Sequence, residues 1–381
     1  MKRLGIIFLL LFMLVGVLPM PAGAVELDIP AKAAILIDAA TGTILYEHNA
    51  HSPMPPASVT KVMTMLLIME AIDDGRIDWE DSVTASATAA AKGGSQIYLK
   101  EGETMSVSTL LKSVAVSSAN DAACALAEHI AGSEAAFVDM MNSKAKELGM
   151  EETNFVNCTG LDDDESAQHH RTSAYDIALM SRELLVKHPD IKKYTTIWMD
   201  TVRDGSFGLA NTNKLVRFYQ GATGLKTGYT SQAGFCLSAS AKRDDMELIA
   251  VVLGCDTSAE RFAACKSMLD HGFASYALID PQLDSQVSVP VRLGAAAQVQ
   301  AVPSTEGAVL IDKSQKNTIN VKVELLDSVD APVSKGQRLG TMTVHSGEQI
   351  LTEVPLVAAE SVARLRWGEI FVRMLRSICL G

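Results

Sequence analysis

Residues 56–72 read Pro-Ala-Ser-Val-Thr-Lys-Val-Met-Thr-Met-Leu-Leu-Ile-Met-Glu-Ala-Ile, a polar start followed by an almost wholly apolar run. The run predicts a helix over 58–72, and a helix that is hydrophobic on all sides is buried in a core. Ser58 begins this helix and Lys61 follows one turn later, so the two side chains share a face. The stretch therefore predicts a central helix with a hydroxyl and an amine side by side at its start.

Strand patterns lie on both sides of a helical middle. Residues 33–38 and 43–47 read as one hairpin, and 234–241 and 247–254 read as a second hairpin. Helical patterns fit 107–117, 120–131, 134–148, 174–187 and 259–277. We expect an α+β domain whose antiparallel sheet is assembled from the two ends of the segment and flanked by helices.

A boundary is expected at Ile279-Asp-Pro-Gln282, after which the pattern changes to short strands. Strand-like runs occur at 287–293, 308–311, 319–326, 337–344 and 349–357, separated by turn residues. Their spacing is typical of a small all-β, sandwich-like domain. The predicted organisation is a signal peptide at 1–24, a catalytic domain at 25–278, a β-rich domain at 283–358 and an amphipathic helix at 361–381.

The two ends of the chain indicate export and membrane association. Residues 1–24 have a basic start, an apolar middle and an Ala-Gly-Ala end, the pattern of a secretory signal peptide. Residues 361–381 carry a net charge of +3 against −17 for 25–360. Arg366, Arg373 and Arg376 fall on one helical face, and Trp367 and Phe371 on the other. Such a helix predicts an in-plane membrane anchor, the alternative being a terminal helix docked on the β-rich domain.

Composition excludes several classes of protein. Of the 381 residues 48% are apolar and 20% charged, which is typical of a globular chain. A formal net charge of −12 argues against nucleic acid as a partner. The six cysteines include no Cys-x-x-Cys pair, so buried free thiols are favoured over disulfides or a zinc site.

The pair Ser58 and Lys61 has the spacing of a nucleophile and its base. A serine hydroxyl is a weak nucleophile unless a base lies within hydrogen-bonding reach. Burial lowers the pKa of a lysine and lets it take that proton. The helix N-terminus adds backbone N–H groups for a developing oxyanion. Serine is also a common N-cap, so the Ser-x-x-Lys pattern alone is weak evidence.

Two further motifs make the Ser-x-x-Lys pattern stronger evidence for a serine nucleophile. Ser118-Ala-Asn120 lies between two predicted helices, and Lys226-Thr-Gly228 precedes an apolar strand. Either one alone fits an ordinary turn. In this order, with Ser58-x-x-Lys61, they form the motif set of the penicillin-recognising serine enzymes.

With these motifs the chain resembles the D-alanyl-D-alanine carboxypeptidases, the low-molecular-mass penicillin-binding proteins of serine peptidase type. The resemblance extends to residues 94–99, to the β-rich domain and to the amphipathic tail. It implies a β-lactamase/DD-peptidase-like catalytic fold. It also implies that Ser58 is the acylated nucleophile, that Lys61 is its base, and that Ser118 and Asn120 relay protons and hold the peptide amide.

The same resemblance implies how the substrate is bound. Lys226 and Thr227, with Gly228 beside them, would face the terminal carboxylate of the substrate, and Arg261 lies where the family has a carboxylate-binding arginine. The backbone N–H groups of Ser58 and Tyr229 would form the oxyanion hole. Tyr229 departs from the histidine that many relatives carry after Lys-Thr-Gly.

The implied substrate is a peptidoglycan stem peptide ending in D-Ala-D-Ala. Attack by Ser58 would expel the last D-alanine and leave an acyl-enzyme that water hydrolyses, and β-lactams would trap the same serine. Neither a cofactor nor a metal is expected. The enzyme would act outside the cytoplasmic membrane, peripherally anchored to its outer face.

Other functions compete with this interpretation. A DD-endopeptidase of the same family stays open. A class A β-lactamase needs a deacylating glutamate. None of the three candidates lies within a Glu-x-x-Leu-Asn context; they are Glu151, Glu152 and Glu165. A wall-binding module without activity would not need the intact motifs. The acidic run 162–165 and the following His169-His170 are interpreted as a solvated loop rather than a cation site.

Overall fold

The computed structural model describes residues 27–163, 165–279, 287–304 and 309–371. The predicted signal peptide, residues 280–282 of the predicted boundary and residues 372–381 of the predicted tail lie outside these ranges. Within them, no helix combines the length and apolarity needed to cross a membrane.

The first part of the chain contains nine strands and nine α-helices among the described residues. The strands are β1 (Ala33–Asp38), β2 (Ile44–His48), β3 (Ser82–Thr84), β4 (Thr104–Ser106), β5 (Met199–Val202), β6 (Phe207–Ala210), β7 (Ala222–Thr230), β8 (Gly234–Arg243) and β9 (Met246–Cys255). The helices are α1 (Lys61–Asp73), α2 (Ala87–Ala90), α3 (Val107–Ser117), α4 (Asn120–Ala131), α5 (Glu134–Glu147), α6 (Ala174–Lys187), α7 (Lys192–Thr195), α8 (Leu215–Phe218) and α9 (Ser258–Ser275).

A five-stranded antiparallel sheet organises this domain, with the strand order β2-β1-β9-β8-β7. Strand β1 from the N-terminal end pairs with β9, where Ala33 lies opposite Leu253. The predicted assembly of one sheet from both ends of the segment is therefore confirmed. Strand β7 forms one edge of the sheet, next to β8.

Both faces of the sheet are covered, because every residue of β1 and β9 is buried. Successive side chains of a strand point to opposite faces. Ile35 and Ile37 join the larger core that contains α1, whereas Leu36 and Leu248 join a second core with Met268 of α9. Ten of the thirteen residues of α1 are buried, which confirms the predicted central helix.

The start of the central helix differs from the sequence expectation. Residues Ala57–Thr60 form a turn of 3-10 helix, and the α-helix itself begins at Lys61. Helices α3, α4 and α6 have the predicted bounds. Lys226-Thr-Gly228 taken alone also fitted an ordinary turn, but these residues lie in strand β7, and the pairing of β7 with β8 holds them in an extended conformation.

The C-terminal domain is built from strands, as predicted. These are β10 (Tyr276–Ile279), β11 (Ser288–Arg292), β12 (Gln298–Pro303), β13 (Val309–Asp312), β14 (Ile319–Leu325), β15 (Val329–Asp330), β16 (Arg338–Ser346) and β17 (Gln349–Ala358). A six-stranded sheet has the order β14-β16-β17-β12-β11-β15, and β10 pairs with β13. Strand β12 was not among the predicted strands; its Val299 and Ala301 are buried in the core of this domain.

Two smaller expectations concern the tail and the thiols. A helix starts at Trp367 in the described part of the tail, and Trp367 and Phe371 are 88% and 62% exposed. The five described cysteines are free and buried, as the sequence favoured.

Candidate active site

Ser58 and Lys61 meet at the start of α1. The Nζ atom of Lys61 lies 3.0 Å from Oγ of Ser58 and donates to the carbonyl of Thr159 at 2.8 Å. Lys61 is fully buried, and this burial lowers the pKa of its amine from 10.5 to about 7, although Cys158 and Asp121 oppose the shift. A lysine that is partly neutral at neutral pH can accept the proton of the hydroxyl beside it.

The backbone before Ser58 is held from two sides. Ala57 has a left-handed conformation with φ of 49°, which costs a residue with a Cβ atom on the order of 1 kcal/mol. Thr60 Oγ1 donates to the Ala57 carbonyl at 2.8 Å. Gly160 packs against the same carbonyl so closely that a Cβ there would lie 1.9 Å from its oxygen. The turn Ala57–Thr60, called the serine turn below, therefore depends on contacts from a distant segment of the chain.

The Ser118-Ala-Asn120 motif joins α3 to α4. Ser118 ends α3 in a left-handed conformation with φ of 65°, and Asn120 begins α4. Nδ2 of Asn120 donates to the Gly93 carbonyl at 2.7 Å. Oδ1 of Asn120 and Oγ of Ser118 are buried without a partner in the described structure. Because buried polar atoms are nearly always paired, the two oxygens are suited to a substrate N–H group and to proton transfer.

Strand β7 lies directly against the Ser58 turn. A Cβ atom on Gly228 would lie 2.6 Å from the carbonyl oxygen of Pro56 and 3.1 Å from the backbone nitrogen of Ser58. Thr227 Oγ1 donates to Thr212 Oγ1 at 2.6 Å. The third motif therefore comes within contact distance of the first only because a glycine occupies position 228.

Lys226 adds a second buried amine to the site. Its Nζ atom donates to the Thr227 carbonyl at 2.9 Å. Burial, together with the positive charges of Lys61 and Arg261, holds the pKa of Lys226 well below its usual value. An anionic ligand beside this amine would stabilise its charged form, so the site favours a carboxylate.

Arg261 and Tyr229 lie beside the motif strand in different environments. Nη1 of Arg261, from the first turn of α9, donates to the Gly228 carbonyl at 2.9 Å. Its guanidinium packs near the rings of Phe235 and Phe262, and its Nε atom is buried without a partner in the described residues. Tyr229 is 57% exposed and packs on Phe235 with a ring-centroid distance of 4.3 Å.

His170 is a residue near the site that the sequence pattern did not indicate. The solvated-loop interpretation holds for His169, which is exposed, but is wrong for His170, which is 4% exposed and contacts Thr60 of the serine turn. Its position in a polar run gave no signal of burial. In the described part of the chain no cluster of potential metal ligands is found.

The three glutamates considered for a β-lactamase are exposed or half-buried. Glu152 contacts His51 through its carboxylate and accepts from Ser173, whereas Glu151 and Glu165 are exposed.

Lys61 lies beside Ser58, Gly228 brings the Lys-Thr-Gly strand against the same turn, and Ser118 and Asn120 have buried oxygens without a partner among the described residues. This motif set defines the class of penicillin-recognising serine enzymes. A family model described as D-alanyl-D-alanine carboxypeptidase matches residues 20–257, and one described as penicillin-binding protein 5, C-terminal domain, matches residues 282–364. The chain belongs to the D-alanyl-D-alanine carboxypeptidase family.

Individual relatives agree with this assignment. D-alanyl-D-alanine carboxypeptidase DacF of Bacillus subtilis is 43% identical over 345 residues, which cover 89% of this chain and 87% of the relative. Penicillin-binding protein 5 from Haemophilus influenzae superposes with a TM-score of 0.78 at 30% identity, covering 90% of this chain and all of that one. Penicillin-binding protein D2 from Listeria monocytogenes, solved in an ampicillin-bound form, gives 0.60 at 34% identity over 65% of this chain and 99% of that one.

Proposed function

We propose that this carboxypeptidase removes the terminal D-alanine of peptidoglycan stem peptides through an acyl-enzyme on Ser58. The observation that carries the proposal is the 3.0 Å contact between the Ser58 hydroxyl and the buried amine of Lys61. Lys61 takes the hydroxyl proton as Oγ attacks the carbonyl carbon of the last peptide bond. The C–N bond then breaks, the leaving amine takes a proton, and water hydrolyses the ester.

The remaining motif residues bind the substrate in this proposal. Backbone N–H groups of Ser58 and Tyr229 stabilise the oxyanion. Ser118 carries the proton toward the leaving amine, and the free Oδ1 of Asn120 accepts from the peptide N–H.

The substrate carboxylate lies near Lys226 and Thr227 in the same proposal. Arg261 also contributes positive charge, and its contact with the Gly228 carbonyl supports the strand that carries both residues. Gly228 lets that strand approach Ser58.

Mass spectrometry of the protein beginning at Val25, after incubation with benzylpenicillin, tests the nucleophile. We expect a stable adduct on the wild type and none on Ser58→Ala, because Ser58 has the buried amine of Lys61 within hydrogen-bonding reach. Release of D-alanine from a D-Ala-D-Ala pentapeptide, against cleavage of a cross-linked dimer, separates carboxypeptidase from endopeptidase.

Other outcomes of that experiment contradict the mechanism. Rapid hydrolysis of penicillin without an adduct would indicate a β-lactamase. Intact penicillin without an adduct would indicate a wall-binding protein that lacks activity.

We also propose that the enzyme works outside the cytoplasmic membrane, with its tail lying on the outer face. Support comes from the signal-peptide pattern of residues 1–24, the net charge of +3 in residues 361–381, and the exposed rings of Trp367 and Phe371. The β-rich domain would then separate the catalytic domain from the membrane.

Flotation with anionic lipid vesicles tests the anchor. The protein beginning at Val25 should float with the vesicles, more weakly at high salt because the basic residues are screened, and the same protein ending at residue 360 should not. Trp367→Ala with Phe371→Ala should weaken binding, whereas Phe218→Ala, which removes a 75% exposed ring of α8, should not. Equal flotation of the long and short proteins would refute the anchor.

A further inference from the structure

His170 lies at the centre of a series of three hydrogen bonds that ends at the serine turn. The backbone N–H of Val156 donates to Nδ1 of His170 at 3.1 Å, so Nδ1 carries no proton. The proton of the neutral ring is then on Nε2, which lies 2.7 Å from Oγ1 of Thr60. The hydroxyl of Thr60 in turn donates to the carbonyl of Ala57 at 2.8 Å. The neighbours of each group in this series therefore determine whether it donates or accepts each hydrogen bond.

The ring stays neutral in this position. Burial, reinforced by the nearby positive charge of Lys61, lowers the pKa of His170 from 6.5 to about 4. The ring of Phe155 packs against it with a centroid distance of 5.6 Å. At the pH of ordinary assays His170 is therefore a neutral donor with one defined tautomer.

The Ala57 carbonyl, at the end of this series of hydrogen bonds, controls the direction of the Ser58 N–H group. The peptide bond between Ala57 and Ser58 is trans, since the cis bonds of the described residues lie elsewhere. In a planar trans peptide the C=O and the following N–H point in opposite directions. Fixing the Ala57 oxygen therefore fixes the direction of the Ser58 N–H group, which is an oxyanion donor in the proposed function.

We propose that His170, acting through Thr60, is a positioning residue that aims the Ser58 N–H group at the oxyanion. This inference rests on the proposed function and adds a residue to it. Ala57 has a left-handed backbone conformation that alanine disfavours, so the turn needs contacts that hold it. The segment that carries His170 also supplies Gly160, which packs against the same carbonyl, and Thr159, whose carbonyl accepts from Lys61.

Three substitutions separate this role from simple support of the fold. In His170→Gln the amide nitrogen can replace Nε2 and keep the donor to Thr60. In His170→Asn the amide oxygen can replace Nδ1 and keep only the acceptor for Val156. His170→Leu keeps neither bond. His169→Leu changes the exposed neighbour and is the matched control.

Acylation by benzylpenicillin in stopped flow gives the binding constant and the acylation rate constant separately. We expect the Asn and Leu variants to lose roughly 10- to 100-fold in the rate constant with little change in binding, since removal of an oxyanion donor costs about 10²–10³-fold and misalignment less. The acylation rate constant of the Gln variant should stay within about fivefold of the wild-type value, because this variant keeps the hydrogen-bond donor to Thr60. His169→Leu should be unchanged.

A double-mutant cycle completes the test. Thr60→Val should reduce the acylation rate constant as His170→Asn does. The double variant should lose no more than either single variant, because both substitutions interrupt the same series of hydrogen bonds. Equal rates for the Asn and Gln variants, additive losses, or a loss confined to binding would overturn the proposal. Failure of the wild type to become acylated would instead overturn the proposed function, and this inference with it.

Discussion

Lys61→Met should slow acylation of Ser58 by roughly 10²–10⁴-fold, the range that a positioned general base contributes. The methionine has nearly the length of the lysine and suits the apolar surroundings of α1, where the neighbouring residues are already buried. We therefore expect the variant to fold. Benzylpenicillin acylation measures the rate, and thermal unfolding monitors the fold.

Lys61→Arg distinguishes a base from a mere positive charge. The arginine keeps a cation near Ser58 but stays protonated at every accessible pH, so it cannot accept the hydroxyl proton. We expect a loss as large as for methionine. Full activity of the Arg variant would show that Lys61 acts only through its charge.

The pH dependence of the wild type follows from the same amine. Below its pKa of about 7 Lys61 is protonated and cannot take a proton, and above it the neutral base is available. The acylation rate should rise through pH 7 and level off at higher pH. A rate that falls across this range would contradict a neutral lysine base.

The second large effect is expected for Gly228→Ala. A strand accepts alanine at least as well as glycine, so any loss must come from contacts. The new Cβ would lie 2.6 Å from the Pro56 oxygen and 3.1 Å from the Ser58 nitrogen, and both of these atoms are backbone. Strand β7 and the serine turn would have to separate. Because misplacements of about 1 Å cost about 10²-fold in rate, we expect at least that loss in acylation.

Gly208→Ala is the matched control for this substitution. Gly208 also lies in a strand, β6, and a Cβ atom there would meet nothing within 4 Å. Its acylation rate should equal that of the wild type. Comparable losses in the two variants would mean that the effect comes from general destabilisation and not from the approach of β7 to Ser58.

The sequence predicted those parts of the site whose residues are close together along the chain or belong to a known motif. Ser58 and Lys61 are three residues apart, so helical geometry alone brings them together. That Ser118 and Lys226 belong to the same site was inferred from the combination of motifs, which carries the resemblance to a family. The antiparallel sheet with a helical middle followed from the alternation of strands and apolar helices along the chain.

What the sequence did not predict depends on contacts between distant residues. Strand β7 contains Gly224 and Gly228, which are poor strand formers, and its pairing with β8 overrides that preference. His170 follows an acidic run, and it is buried in contact with Thr60, which is 110 residues earlier. Arg261 was expected near the substrate carboxylate, and its bond to the Gly228 carbonyl depends on how α9 packs on the sheet.

The five described cysteines also bear on how the protein would withstand an oxidising environment. Each is buried, and burial raises the pKa of Cys236, Cys255 and Cys265, while a hydrogen bond with Cys124, together with burial, raises the pKa of Cys158. These four thiols therefore stay protonated and do not react as thiolates. Oxidants can reach these sulfurs only while the chain is still unfolded. If the protein is exported as proposed, folding before oxidation keeps these thiols from forming the wrong cross-links.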